Sequence, residues 1–366
     1  MKVHHPDYIL LGTVITLVIF GLVMLSSASI VTSLDNFNQP YFYLKHQIIY
    51  GLLIGCLFAF IAFKIHYKFW KKFAFPILLI TIILLALVFL PGVGSKFGKA
   101  ARWISLGPVS FQPSEIAKLG FIIYLAAWLE KKSKKIDSLS EGLIPFLIAT
   151  GLIAGLIILQ PNISTMGVIA LTAAIVYFAA GAKIWQMILI LFLGVGTFFT
   201  FTKVFSHAFK RFQVFLHPEI DPQGIGYQIN QALLAIGSGG VFGRGFGQSL
   251  QKYNYLPESI SDSIFAIIAE ELGFVGAALL IVLFLIFAFR GLMIAKNAPD
   301  NLAKLLAVGI TSWLTVQAFI NIGAISGLIP LTGIPLPFIS YGGSALVVSL
   351  VGVGILLNIS KYTLKT

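Results

Sequence analysis

An all-α, polytopic membrane protein is the fold class this sequence predicts, on three observations. Hydrophobic residues make up 58% of the 366-residue chain and charged residues only 10%, against about 25% in soluble domains, and the mean hydropathy is +0.95. Apolar runs of bilayer length, about 20 residues, recur from end to end. None alternates with a period of two, and lipid tolerates no unpaired backbone, so the spans are helices.

Ten apolar segments can be drawn, near 8–29, 47–65, 73–90, 113–129, 143–159, 164–181, 184–201, 263–289, 303–329 and 343–358. They form one transmembrane domain over 1–366. The first ends in Ser26-Ser27-Ala28-Ser29, which mimics a signal cleavage site. Its apolar part is longer than an ordinary signal core and more spans follow at once, so it reads as a retained helix. The net charge of +12 reports orientation rather than nucleic acid. With both termini cytoplasmic, the inner segments hold fifteen of the basic residues, dense in short loops such as Lys64 to Lys72 and Lys131 to Lys135. Most outer cations lie on long loops, which the positive-inside rule discounts. The lone cysteine, Cys56, excludes an intrachain disulfide.

Three outer connections exceed mere linkers: 91–112, the largest at 202–262 between helices 7 and 8, and 330–342, rich in Pro and Gly and read as a re-entrant candidate. Long loops inside compact domains are usually functional, so chemistry is expected on the extracytoplasmic side. There is no convincing internal repeat, which counts against an inverted-repeat transporter.

Asp262 stands where the longest loop becomes a helix. Ser259-Ile260-Ser261-Asp262 fits a capping box, and an acid in a first turn suits the helix dipole. The functional alternative is a general base at the water–lipid boundary, and a helix start would hold such a carboxylate rigid yet exposed. Lys210, Arg211, Arg244 and Lys252 share its loop, with Lys96, Lys99 and Arg102 on the other. Anionic headgroups explain these cations blandly; a lipid diphosphate substrate explains them more sharply, through its leaving-group charge. Gly237 to Gly247 has the composition of a phosphate nest but no P-loop follows it, so a tight turn is the plainer reading.

Glu115 and Lys118 stand at i,i+3 on the fourth span, where an internal pair is the cheapest way to hold either in lipid. Glu270 falls eight residues past Asp262, roughly 12 Å deeper at about 1.5 Å per residue, as a proton relay or a polar contact within the bundle, whereas Glu271 points away. No His-Glu-x-x-His, Cys-x-x-Cys or Gly-x-Ser-x-Gly occurs, so zinc hydrolysis and serine acyl transfer lack support. Asn162-Ile163-Ser164 matches the glycosylation acceptor pattern, which is a chance match if the host is bacterial.

Several stretches then converge. Lys99 to Ile104, Phe111-Gln112-Pro113-Ser114-Glu115-Ile116-Ala117-Lys118-Leu119, Gly224-Ile225-Gly226-Tyr227-Gln228, Leu256-Pro257-Glu258 with Asp262, Glu270-Glu271-Leu272-Gly273-Phe274 and Gly333 to Ser344 resemble the SEDS proteins (shape, elongation, division and sporulation), in order over nearly the whole chain. The resemblance implies the SEDS fold of ten spans. It also implies a peptidoglycan glycosyltransferase that polymerises lipid II on the outer face of the bacterial cytoplasmic membrane beside a class B penicillin-binding protein. The family's catalytic acid falls on Asp262 and its intramembrane pair on Glu115 and Lys118. Substrate contacts are expected from Lys99, Arg102, Lys210, Arg211, Gln228 and Arg244, support from Glu115, Lys118 and Glu270, and an Mg2+ or Mn2+ ion stays open.

His5-Pro6-Asp7-Tyr8, Ser26 to Ser29 and Ser261 to Ala266 look more like division than elongation members, which implies the septum and other divisome membrane proteins as partners. Asn162 departs from the Asp that usually follows Gln-Pro, which puts a charged role there in doubt. A lipid II flippase, an elongation-type polymerase and a non-catalytic scaffold are the rival readings.

Overall fold

The computed structural model describes residues 4–90, 94–97, 100–106, 109–204, 206–221 and 223–364. Helices occupy all ten apolar segments: α1 Tyr8–Ala28, α2 Ile30–Phe37, α3 Phe42–Lys64, α4 Ala74–Leu87, α5 Pro113–Lys131, α6 Leu139–Ile158, α7 Ile163–Ala179, α8 Ile184–Val204, α9 Ser206–Leu216, α10 Ile225–Gly239, α11 Ile264–Lys296, α12 Asn301–Ile325 and α13 Gly343–Ser360. Among the described residues, six (α1, α3, α6, α11, α12 and α13) are long and apolar enough to cross a membrane, and α4, α7 and part of α8 are shorter apolar helices. The chain is a multi-pass membrane protein.

Local chemistry sets the helix ends. Asp7 caps α1, accepting from the Leu10 amide at 2.9 Å, and Asp300 caps α12 through Ala303 at 2.9 Å. Asn162 caps α7 through Thr165 at 3.3 Å. An aspartate would accept the same bond, so the uncharged residue keeps the cap.

The termini meet on one face. The His4 amide donates to the Lys361 carbonyl at 3.0 Å and that of Leu364 to Asn297 at 2.8 Å, while Arg290 Nε donates to Asp7 at 3.0 Å. The basic loops gather there too: Lys71 pairs with Glu130 at 2.7 Å, and the Tyr67 hydroxyl reaches Asp300 at 2.8 Å. At the centre stands α12, 78% of whose most apolar window is buried; it packs on α5, α7, α11 and α13.

Two features of the opposite face differ from the expectation of helices and plain loops, and a third is the segment read as a re-entrant candidate. First, the 91–112 connection holds a three-stranded antiparallel sheet, β1 Gly94–Phe97, β2 Ala100–Leu106 and β3 Val109–Phe111, in the order β1-β2-β3. Ile104 pairs with Gly94 on one side and Phe111 on the other.

Second, α11 is not one continuous span. Gly273 has φ 67° and ψ −164°, so a short segment, 264–272, precedes a bilayer-length one, 274–296. The glycine-rich run explains the break. Amides of Arg244 and Gly245 donate to the Glu270 and Glu271 carbonyls, both at 3.0 Å, and Phe274 and Val275 donate back to Gly240 and Val241 at 2.9 and 3.1 Å. A Cβ on Gly273 would come within 2.3 Å of the Gly243 nitrogen. Glycine is needed here for backbone-to-backbone approach at an interrupted helix. Neither a phosphate nest nor a simple surface turn describes it.

Third, 330–342 has no regular structure, yet Ile334, Leu336, Phe338 and Ile339 are buried, and the Phe338 carbonyl lies against Gly21, well inside α1. Irregular backbone at such depth survives only where protein satisfies it.

Candidate functional site

The polar side chains of the bundle meet that irregular segment. Gln317 Nε2 donates to the Pro335 carbonyl and Asn321 Nδ2 to that of Ile334, both at 2.8 Å. Ser164 and Arg211 (2.9 Å) donate to the Thr332 carbonyl. Gln47 brackets the far end, donating to Ser340 O at 3.3 Å and accepting from the Gly342 amide at 3.0 Å. A fully buried group left unpaired costs about 1–3 kcal/mol; these side chains remove that cost at the buried Ile334 and Ser340 carbonyls, a smaller one at the part-buried Thr332, Pro335 and Gly342 groups, and fix the segment.

Asp262 is laid onto this platform. The Ser340 hydroxyl donates to the Ser261 carbonyl, the Tyr341 amide to Ile260 O at 2.9 Å, and Asn321 Nδ2 to the carbonyl of Asp262 itself at 2.7 Å. The predicted capping box does not form. The cap of α11 is Ser263, without a side-chain cap bond; its Oγ accepts from Gln228 Nε2 at 3.0 Å, and Ser261 bonds Glu258 at 2.6 Å instead. Asp262 therefore stays outside the helix with its carboxylate free of a capping duty.

Across from it lies Arg211. A Cβ on Gly333, whose φ is +66°, would stand 3.5 Å from both Asp262 Oδ2 and Arg211 Nη2, so the absent side chain leaves a slot between acid and guanidinium. Burial raises the Asp262 pKa most and the charge of Glu258 adds to it, while its own backbone amide, then Arg211 and Ser261, oppose, leaving it at about 7. A carboxylate poised near neutrality suits proton abstraction. Arg102 completes the corner: its guanidinium donates to the carbonyls of Gln160, at 2.9 Å, and Pro161, and burial, then the nearby charge of Arg211, lowers its pKa.

The other expected residues divide. Glu115 and Lys118 form the pair anticipated, at 2.8 Å and almost wholly buried, and Lys118 Nζ also donates to Gln317 Oε1 at 2.7 Å. Through Gln317 the pair steadies Pro335, consistent with support. Lys210 is turned to Asp221 at 3.1 Å and Arg244 to Glu270 at 3.8 Å, so both already have carboxylate partners. Lys99 lies outside the described residues.

Glu270 makes a polar contact within the bundle. It accepts from Ser249 Oγ and from the Leu250 and Gln251 amides at 3.0 and 3.3 Å, a polar contact that folds the loop over the helix break. Lys252, counted among outer cations, is 3% exposed and paired with Glu271 at 3.1 Å; Ser27 donates to the same carboxylate at 2.7 Å. Among the described residues no three His, Cys, Asp or Glu side chains converge, so the donor set does not fit a cation held by protein alone. Gln317, Asn321, Ser340 and Gly333 were not singled out as site residues, because uncharged groups that satisfy backbone carry no spacing signature.

Fold and site together define a polytopic membrane protein with an acid facing Arg211 on the face opposite its termini. The chain belongs to the FtsW, RodA and SpoVE family: that family's model, described as cell cycle protein, matches residues 8–365. It is similar to the probable peptidoglycan glycosyltransferase FtsW of Trichlorobacter lovleyi, 42% identical over 97% of this chain and 93% of that one. Stage V sporulation protein E of Bacillus subtilis is 41% identical over 99% of each. Among solved structures, a chain of a peptidoglycan synthase complex that coordinates polymerization and crosslinking superposes with TM-score 0.79 at 28% identity, covering 97% of both chains. The rod shape determining protein RodA of Thermus thermophilus gives 0.72 at 28% identity, over 99% and 98%.

Proposed function

We propose that the protein is a peptidoglycan glycosyltransferase that polymerises lipid II at the outer face of the bacterial cytoplasmic membrane, with both termini cytoplasmic, for septal wall synthesis in division. The observation that carries this reading is the Asp262 carboxylate, near neutral pKa and facing Arg211 across Gly333. Asp262 takes the proton of the acceptor sugar 4-hydroxyl as that oxygen bonds the anomeric carbon of the growing chain. The bond to undecaprenyl diphosphate breaks with inversion, and its electron pair leaves on the diphosphate oxygen, whose charge Arg211 and Arg102 offset. Gln228 orients Ser263 beside the acid. A divalent cation would enter with the diphosphate, shielding its charge, and no step is assigned to it. A class B penicillin-binding protein is the proposed crosslinking partner, with other divisome membrane proteins around it.

Purified protein with that partner, given lipid II, should yield glycan chains, and Asp262→Ala should yield none while remaining folded. Headgroup translocation across vesicles without polymer would instead favour a flippase. The arrangement around Asp262 favours the enzyme: the intramembrane charges that motivated transport are already paired within the bundle.

A further inference from the structure

Beside Asp262 lies a group of rings that the chemistry above does not use. Phe37 and Phe42 stack at 3.7 Å between centroids, Tyr43 meets Phe42 edge-on at 5.8 Å and Tyr341 at 4.9 Å, and His46 joins Tyr50 at 4.6 Å. The group is continuous with the acid's own support. The Tyr341 amide holds the Ile260 carbonyl, two residues before Asp262, and Asn254 Nδ2, on the same loop, donates to Asp35 of α2 at 2.8 Å.

A membrane-interface aromatic belt is the plain alternative, but belt residues ring a bundle and turn their polar tips to headgroups. These rings form one patch, and two of its hydroxyls have partners on the protein: Tyr341 bonds His46 Nδ1 at 3.1 Å, and Tyr43 accepts from Asn36 Nδ2 at 3.2 Å. Burial first, and Tyr43 second, push the Tyr341 hydroxyl up to about 12, so it remains protonated. Hydroxyls anchored in this way fix the ring faces, and Phe37 is still 44% exposed.

Phe37, stacked on Phe42, which is itself stacked on His46, presents a fixed, partly exposed aromatic face near a proton-accepting acid, and such a face matches the apolar C–H face of a pyranose ring. We propose that Phe37, Phe42, Tyr43 and Tyr341 form a saccharide subsite that holds the sugar rings of a glycan strand next to Asp262. The subsite rests on the polymerase reading for its place in the reaction, but it binds carbohydrate without the lipid, and that separates the two.

The test titrates the full chain in lipid nanodiscs with lipid-free, peptide-free GlcNAc–MurNAc oligosaccharides, read by saturation-transfer NMR. Wild type should bind. Tyr43→Ala and Phe42→Ala should bind about tenfold more weakly, the scale of one lost aromatic contact, and Phe42→Tyr should bind within about twofold of wild type. If Tyr43→Ala fails to fold, Phe37→Ala carries the same expectation at an exposed position. No binding by wild type at millimolar oligosaccharide overturns the subsite, as does unchanged binding by the alanine variants. Lower thermal stability with full binding is the belt outcome and also overturns it. If lipid II is polymerised without oligosaccharide binding, the subsite alone fails; ring-dependent binding without polymerisation leaves the subsite standing and sinks the polymerase reading.

Discussion

Asn321 joins the two halves of the site: one Nδ2 group donates to the Asp262 carbonyl at 2.7 Å and to the Ile334 carbonyl at 2.8 Å. The acid thus inherits its position from the irregular segment, which hangs from α12. Asn321→Leu leaves both carbonyls unpaired in a buried place. The expected loss is about 2 kcal/mol of stability, read as a lower unfolding midpoint in detergent, with a fall in polymerisation rate larger than that loss alone would produce.

The pH profile follows from the raised Asp262 pKa. The base works deprotonated, so activity should climb as pH rises through about 7 and level off above. Arg211 lowers this pKa and Glu258 raises it. Arg211→Gln should therefore move the inflection to higher pH and Glu258→Gln to lower pH. Shifts in the opposite sense, measured on purified protein with lipid II, would contradict the assigned neighbours. The linkage to stability has the reverse sign. A folded pKa above the unfolded value of 3.8 stabilises the fold at low pH, and that contribution fades as pH rises toward about 7.

Glu115 and Lys118 should behave as one unit. Either Glu115→Gln or Lys118→Met alone strands a buried charge, at a cost of about 3–5 kcal/mol, while the double variant should recover much of it. Lys118 also holds Gln317, so the recovered double variant should remain slow in polymerisation. Full additivity of the two single losses in a thermal-unfolding cycle would argue against a pair.

Gly333 separates acid from guanidinium. Gly333→Ala puts a Cβ at ordinary contact distance from both, 3.5 Å, in a backbone region that costs an L-residue roughly 1–2 kcal/mol. Polymerisation should fall more steeply with Gly333→Val than with Gly333→Ala, and saturating lipid II should not restore either. Equal, wild-type rates would show that nothing enters the slot.

Much of this was legible in the residues. Charge scarcity and run length located the helices, and the resemblance placed Asp262, Glu115 and Lys118 where the geometry places a half-buried acid and a buried pair. Three things were not legible, for physical reasons. The break at Gly273 is made by a distant glycine run that fills it, and hydropathy registers only an unbroken apolar stretch. Lys252 reads as a loop cation because its partners, Ser27 and Glu271, lie far along the chain. The strands around Arg102 are too short and irregular, with a bulge at Ser95 and Lys96, to leave a periodic signal.

The most direct measurement is the single-turnover rate of lipid II polymerisation by Asp262→Asn, at saturating substrate with the penicillin-binding partner present. The substitution keeps the size and the main-chain bond to Asn321 while removing the base. The rate should fall by about 10²–10⁴-fold, the worth of a general base, with lipid II binding retained. A rate within a few-fold of wild type would contradict the account.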